Sequence, residues 1–564
     1  METCDILFKH GLINEAQLVQ VRGKNGAHVK SAIDLGYVTE EKAIRALADE
    51  YGYEFVDLRT TDVDLALLEQ VPQQIIFKHN LFPVRRDNGA ILVATVDPFD
   101  MYPLDEISAL SGLAVIPVLA EGAEISKLIK THFGVGGETV GGLIQQKIEQ
   151  DGVELLEEIE TDGSELSEMA QEASVVRLVN EILLEAIESR SSDVHIESQA
   201  AGIVIRYRID GILHAQPTPP EINHFKSAII SRLKIMARLN IAEKRLPQDG
   251  RIKLKVRGRE VDVRVSVIPM IHGEGIVLRI LDKGAMVFDL RNLGMNEETY
   301  QIFSKLIRLP HGIILVTGPT GSGKTTTLYS SLVQINDDAT KIITTEDPVE
   351  YQLPGINQIQ VHSKIGLTFS QSLRSILRHD PDVVLVGEIR DLETAENAIQ
   401  ASLTGHLVFS TLHTNDAAGA YTRMVDMGVE PFLVASTVEA VMAQRLLRRL
   451  CMHCREAYTP TKDEMPDDFP WELLDGRPLY RKKGCRECRD VGYRGRTGIY
   501  ELLETTEAVR ELANERATTW KLKKAALEQG MRTLRDDAWG RAMNGDSTLE
   551  EVMRVTKSDK LIMG

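Results

Sequence analysis

Gly318-Pro319-Thr320-Gly321-Ser322-Gly323-Lys324-Thr325-Thr326 fills every fixed position of the pattern G-x-x-x-x-G-K-[ST], the phosphate-binding loop. The apolar run Ile313-Ile314-Leu315-Val316 ahead of it reads as a short buried strand, and Thr327-Leu328-Tyr329 behind it opens a helical pattern. Strand, glycine-rich loop and helix together predict an α/β fold built around a nucleoside triphosphate. In that setting the glycines bring backbone N–H groups close to phosphates at a helix N-terminus. Lys324 is expected on the β and γ oxygens, and the Thr325 hydroxyl on Mg²⁺.

The loop does not say what hydrolysis is for. The chain has 564 residues, room for three to four domains of ordinary size. With 43% hydrophobic and 26% charged residues it has the composition of a soluble globular protein. No apolar run approaches the roughly 20 residues of a membrane span, and Met1-Glu2-Thr3-Cys4-Asp5 lacks the basic and apolar regions of a signal peptide, so a cytoplasmic location is expected. A net charge of −18 argues against broad nucleic-acid binding.

Beyond the loop, polar clusters end apolar strands at short intervals. Ile342-Ile343-Thr344-Thr345-Glu346-Asp347-Pro348-Val349-Glu350 offers carboxylates to Mg²⁺ or to the attacking water. Asp382-Val383-Val384-Leu385-Val386-Gly387-Glu388-Ile389-Arg390-Asp391 has the form of a buried strand delivering an acidic pair, with Gly387 in place of the first acid; Glu388 is left to act alone or through a water. His406 to His413 ends a third strand with hydroxyls and His413, placed to sense the γ-phosphate. A lone histidine is more often structural. Several polar strand ends in one parallel sheet point to a ligand, because open α/β sheets bind there.

Four of the five cysteines form two C-x-x-C pairs, Cys451/Cys454 and Cys485/Cys488. Two such turns complete a tetrahedral S₄ site, and a structural Zn²⁺ is expected; a disulfide pair is the alternative, disfavoured in a reducing compartment. Cys4 stands alone.

Upstream, Leu7-Phe8-Lys9-His10-Gly11 and Ile33-Asp34-Leu35-Gly36 begin two similar helical units, and Phe55-Val56-Asp57-Leu58, Phe82-Pro83-Val84 and Ile91 to Val96 read as strands. From Gly134 to Glu172 glycines give way to Glu and Asp, a solvated linker, with a functional acidic tail as the sharper reading. Next comes a helix over Val175 to Ile187. Asp193, His195 and Glu197 then share one strand face: either a metal site or, more simply, a polar face making hydrogen bonds. Strands around Arg206, Arg208, Arg251 and Arg264 flank a helix over Phe225 to Leu239, an arginine-studded α+β sheet.

From about Ser174 to Val555 the chain resembles the traffic ATPases of type II secretion and type IV pilus assembly. The resemblance rests on the phosphate loop, the acidic cluster at Glu346, the Gly387-Glu388 pair, the histidine cluster, Arg245 to Arg251 and Gln444 to Cys451. A glycine at the position of Gly387 is a trait of that family. The tetracysteine insert, Asp416-Ala417-Ala418-Gly419-Ala420 and Asp426 to Phe432 look more like the secretion branch than the pilus branch.

The resemblance implies a RecA-like ATPase core and a homohexamer hydrolysing ATP with Mg²⁺. Arg208 and Arg232 would approach the nucleotide from the sheet domain, and Arg374, Arg378 and Arg390 would line the ATPase side. Glu350 and Glu388 become candidates for activating water, with Glu346 and Asp347 beside the metal. The N-terminal part resembles the module that docks such ATPases on inner-membrane platform proteins, which would make the membrane association peripheral. Relatives of that module that bind cyclic di-GMP carry Arg-Leu-Gly ahead of each repeat; here Ala27-His28-Val29 stands at the second repeat, so docking rather than dinucleotide binding is expected. The expected organisation is a docking domain (1–134), acidic linker (135–172), α+β PAS-like domain (173–287), ATPase core (288–450), zinc module (451–498) and C-terminal helical part (499–564).

A nucleic-acid motor on the same core would want a basic, aromatic-rich channel, whereas aromatics make up 5% of this chain. A regulatory scaffold that had lost its chemistry is disfavoured by the presence of Lys324 and Glu388.

Overall fold

The computed structural model describes residues 3–22, 28–133, 153–155, 172–282 and 288–557. Its chain divides into two compact units, Met1–Gly284 and Ala285–Gly564.

The first unit opens with four short helices, Thr3–Lys9, Glu15–Arg22, His28–Asp34 and Glu40–Tyr51. Gly11 and Gly36, at matching points of the two repeats, both take a left-handed φ, of 69° and 71°. A three-stranded sheet follows, in the order Phe82–Asp87, Ala90–Thr95, Ala114–Leu119. Phe55, expected within a strand, contributes only an isolated bridge to Leu119. The strand Ala114–Leu119 lies at the sheet edge, where Pro117 and its missing N–H are tolerated.

The unit's second sheet has seven antiparallel strands in the order Val153–Leu155, Gln248–Val256, Arg259–Met270, Gly273–Asp282, Ser191–Gln199, Gly202–Ile209, Ile212–Ala215. Val153–Leu155 falls inside the stretch read as linker and pairs instead with Leu254–Val256; the rest of 134–171 lies outside the described residues. Alternate side chains such as Val194, Ile205, Leu254, Val265 and Leu278 share one core with the helices Ala173–Glu188 and Lys226–Met236. Many of the intervening side chains are charged. Asp193 pairs with Arg279 at 2.9 Å and Arg208 at 3.7 Å, and Glu197 pairs with Arg206. Of the two readings of Asp193, His195 and Glu197, the structure therefore favours the salt-bridged polar face, since both carboxylates are occupied by guanidinium groups.

The second unit is built on a seven-stranded sheet ordered Asn357–Gln360, Ile342–Glu346, Val383–Val386, Leu407–Leu412, Gly312–Thr317, Val438–Leu450, Tyr493–Glu504. Six strands run parallel and Tyr493–Glu504 antiparallel at the edge. The buried runs Ile313–Val316 and Val383–Val386 are apolar on both faces because helices cover both. Ile313 and Leu315 join the core under Leu392–Leu403 and the C-terminal helices; Ile314 and Val316 join that of Glu297–Leu306 and Lys324–Ile335.

The cysteine module is inserted between the last two sheet strands and carries its own hairpin, Glu456–Tyr458 with Leu479–Arg481. Residues 493–498, assigned from the sequence to that module, belong to the main sheet, where Gly498 pairs with Leu446 and Thr497 with Leu447.

Candidate nucleotide site and cysteine cluster

The phosphate loop joins the strand Gly312–Thr317 to the helix Lys324–Ile335. Its geometry is tied to a neighbour in the sheet. Thr317 is level with Ala443, which brings Gln444 and Arg445 alongside Gly318. A Cβ on Gly318 would sit 2.5 Å from the Gln444 carbonyl oxygen, and one on Gly323 2.7 Å from the Gln444 amide nitrogen. Those glycines are needed for close approach as well as for φ values of 148° and 90°. Gln444 also accepts a 2.8 Å hydrogen bond from Thr327, fixing the start of the helix.

Lys324 Nζ donates to the carbonyls of Gly318 and Pro319, at 2.8 and 3.2 Å. Burial lowers its pKa and the charge of Glu388 opposes that shift. The Ser322 hydroxyl is buried with no hydrogen-bond partner among the described residues, and Thr325 stays accessible. Unspent N–H and hydroxyl donors around a lysine are what a phosphate chain requires, so these residues fit a nucleotide with Mg²⁺ on Thr325.

Glu388 is the centre of the acidic side. It ion-pairs with Arg390, which raises the arginine's pKa, and its other oxygen lies 3.3 Å from His413 Nε2. The strand ends that carry them are stitched together: Gly387 N–H donates to the Thr345 carbonyl at 2.8 Å, Thr411 Oγ1 to the Gly387 carbonyl at 2.8 Å, and Ile389 N–H to the Thr411 carbonyl at 3.1 Å. A Cβ at Gly387 would meet the Thr345 carbonyl at 3.2 Å and the Phe369 ring at 3.3 Å. An acid has little room there, a physical reason for the glycine. The histidine loop is locked to the phosphate loop by Thr317, whose Oγ1 lies 2.7 Å from Thr414 Oγ1 and accepts from Thr414 N–H at 2.8 Å.

Other expected site residues are placed differently. Glu346 is buried; Tyr329, Thr344 (2.6 Å) and Gln358 (3.1 Å) all donate to its carboxylate. Expected beside the metal, it is instead engaged in holding the phosphate-loop helix to the neighbouring strand. Asp347 is exposed, and Glu350 lies close enough for its N–H to meet Tyr329 at 3.4 Å. Arg374 pairs with Glu393 at 2.8 Å and Arg378 donates to the Arg374 carbonyl at 2.9 Å, so neither joins the Lys324–Glu388 cluster in this chain. In the first unit Arg208 also donates to the Gly211 carbonyl at 3.1 Å; Arg232 is buried, its Nε has no partner among the described residues, and burial lowers its pKa. Sequence reading passed over Thr317, Tyr329, Gln444 and Arg445 as members of the site. The last two lie in the stretch Gln444 to Cys451 that carries the family resemblance, but nothing in that stretch marked them as neighbours of the phosphate loop.

The four cysteines bring their Sγ atoms within 4.8 Å of one another, with separations of 3.8 Å for Cys451–Cys485, 3.8 Å for Cys454–Cys488 and 3.7 Å for Cys485–Cys488. A disulfide needs about 2 Å between sulfurs. Tetrahedral metal–thiolate bonds of about 2.3 Å imply about 3.8 Å between them. The N–H groups of Cys485 and Gly492 both approach Cys488 Sγ at 3.2 Å, as donors to a thiolate do.

Comparison with known proteins decides the family. Residues 168–554 match the family model described as Type II/IV secretion system protein. This chain belongs to that family of secretion and pilus-assembly ATPases. It is an ATP hydrolase with an α/β ATPase fold, and residues 51–139 match the MshEN domain. The chain is similar to the type II secretion system protein E of Xanthomonas campestris pv. campestris, 43% identical over 98% of both chains. It is also similar to the type IV pilus assembly ATPase PilB of Myxococcus xanthus, 41% identical over 99% of both. Among solved structures, the ATPase DotB of Yersinia pseudotuberculosis shares the fold at 20% identity and a TM-score of 0.50, covering 67% of this chain and 93% of that one. No helix among the described residues is long and apolar enough to cross a membrane.

Proposed function

We propose that this family member is the cytoplasmic hexameric ATPase that drives pseudopilus assembly for type II secretion, docked peripherally on inner-membrane platform proteins through its N-terminal domain. The observation that carries the chemistry is the cluster of Lys324, Glu388, Arg390 and His413 at the ends of adjacent strands. Lys324 and the loop N–H groups hold the triphosphate, Thr325 holds Mg²⁺, and Glu388, oriented by Arg390 and His413, takes the proton of the attacking water. Glu350 and Asp347 are the next carboxylates in line for water or metal. Arg208, Arg232, Arg374 and Arg378 supply charge to the transition state once subunits assemble; the buried Arg232 Nε without a partner supports that reading for one of them.

Zn²⁺ would be held by the four thiolates and would fix the cysteine end of a module whose buried Phe469, Leu474 and Leu479 join the core of the ATPase sheet. Phe99, Met101 and Tyr102 expose 54%, 49% and 67% of their surface on the N-terminal domain, which supports partner docking there. Cyclic di-GMP is not assigned to that domain.

The second reading is the extension ATPase of type IV pilus assembly, favoured by the full-length similarity to PilB. Deleting the encoding gene and restoring it as wild type or Lys324→Ala separates the two. Loss of exported protein with surface pili intact supports secretion, and loss of pili with export intact overturns it.

A further inference from the structure

Arg445 is a half-buried cation beside the phosphate loop that the mechanism above leaves without a task. It stands on the strand Val438–Leu450 two residues beyond Ala443, which is level with Thr317, so the parallel pairing carries it past Gly318. Its Nη1 would lie 3.1 Å from a Cβ built on Gly318. All three acceptors it has found are neutral: the Gln444 carbonyl at 3.2 Å, the Asn415 carbonyl at 3.1 Å and Asn415 Oδ1 at 3.2 Å. Among the described residues no carboxylate lies within ion-pair range of it.

Burial lowers the pKa of Arg445, and the charges of Glu501 and Asp416 oppose that shift only from beyond ion-pair range. A half-buried cation whose direct acceptors are all neutral is costly to hold. A second cation nearby raises the cost, and the charge of Arg445 does act on Lys324 to lower that lysine's pKa. Two such groups around one glycine-rich loop are offset by an anion that binds between them. A guanidinium carries more N–H donors than those three acceptors require, in a planar fork that matches phosphate oxygens.

We propose that Arg445 is a second phosphate-contacting cation of the nucleotide site, binding the polyphosphate of the nucleotide in cis alongside Lys324. Its anchoring to Asn415 also places it next to the histidine loop, so the same guanidinium touches the element that carries His413. The proposal rests on the phosphate loop being the nucleotide site.

The test is the affinity of the full-length protein for MgATP and MgADP, read by displacement of a fluorescent ADP analogue, together with steady-state ATPase kinetics. Variants are R445Q, R445K and N415A. Expected for R445Q is a loss of roughly tenfold or more for both nucleotides, the scale of a charge-assisted hydrogen bond. KM should rise in step and kcat change by less than about threefold. R445K should recover part of the affinity, while N415A, which removes one partner and leaves the charge, should cost less than about twofold. Wild-type affinity in R445Q overturns the proposal. Equal losses in R445Q and N415A also overturn it, by showing that the arginine acts only through the loop. Where R445Q does not fold, R445K decides: it keeps the charge but not the fork, and unchanged affinity for both nucleotides overturns the proposal. Failure of the wild type to bind either nucleotide would instead remove the nucleotide-site reading itself.

Discussion

His413 Nε2 lies 3.3 Å from Glu388 Oε2, while Arg390 holds the other oxygen of the same carboxylate. A carboxylate contacted on both oxygens is restricted in orientation, and its side chain is largely withdrawn from solvent although Arg390 and His413 are exposed. Glu388 is thereby aimed before any water arrives. Glu388→Gln keeps the shape and most hydrogen bonds but takes no proton. Turnover should fall by about 10²–10⁴-fold, the range of general-base catalysis, while MgATP affinity changes by less than a few-fold. Single-turnover hydrolysis and equilibrium binding measured on one preparation check this; near-normal turnover would exclude Glu388 as the base.

Gly387 offers the second prediction. The Thr345 carbonyl and the Phe369 ring leave a Cβ contacts of 3.2 and 3.3 Å, so Gly387→Asp must push the strand ends apart and bring a second carboxylate close to Glu388. Overpacking of this kind costs about 1–3 kcal/mol. The Tm should drop by several degrees and activity should fall. Higher activity in G387D would show that the missing acid is a catalytic deficit and not a packing requirement.

How much of this was legible in the sequence depends on whether a residue's task is local. The phosphate loop was, because strand, glycines, lysine and helix are contiguous. The cysteine cluster was too, since each C-x-x-C turn sets half of the one site. Glu346 was expected beside the metal, and its contacts with Tyr329 and Gln358 could not be anticipated, because a strand-end carboxylate looks the same from sequence whichever way it turns. Gln444 and Arg445 owe their place to a register between strands far apart in the chain, which no local pattern encodes. The acidic composition around Val153–Leu155 concealed a strand that exists only because Leu254–Val256 offers it an edge.

The proposed role of Arg232 at a neighbouring subunit's nucleotide gives the third prediction. Lys324→Ala and Arg232→Ala should each abolish turnover alone, by loss of the phosphate loop's charge and of transition-state charge respectively. Mixing the two chains before assembly creates sites with an intact Lys324 on one subunit and an intact Arg232 on its neighbour. Mixed rings should regain measurable ATPase activity. Mixtures as inactive as the parents, under conditions where subunits demonstrably exchange, would place the arginine's action within its own chain or outside catalysis.

Metal removal tests the cysteine module. Sulfur separations of 3.7–3.8 Å match one tetrahedral ion, so metal analysis should find one Zn²⁺ per chain, and Cys485→Ser should lower that occupancy sharply. Chelation should destabilise the hairpin Glu456–Tyr458/Leu479–Arg481 first, seen as faster amide exchange there, with the central sheet less affected. A metal-free protein whose hairpin exchanges as slowly as before would mean that the cluster is not a folding site.

The last prediction concerns pH. Glu551 has no exposed side-chain surface and pairs with Arg448 at 2.8 Å and with Arg554. Burial alone would raise its pKa, but the hydrogen bonds from Arg554 and Arg448 prevail and hold it at about 2. The unfolded chain protonates such a glutamate near pH 4.3. A folded pKa below the unfolded one means the stabilisation is fully present above about pH 4.3 and is lost as pH falls toward 2. Glu551→Gln should therefore be clearly less stable than the wild type at pH 7, and the gap should narrow steadily between about pH 4.5 and 2.5. Denaturant midpoints across that range, for wild type and variant in parallel, give the curve. A gap that stays constant with pH would show that the variant loses packing or hydrogen bonds and that the ion pair with Arg448 and Arg554 adds nothing to the anchoring of the C-terminal helix Leu549–Val555.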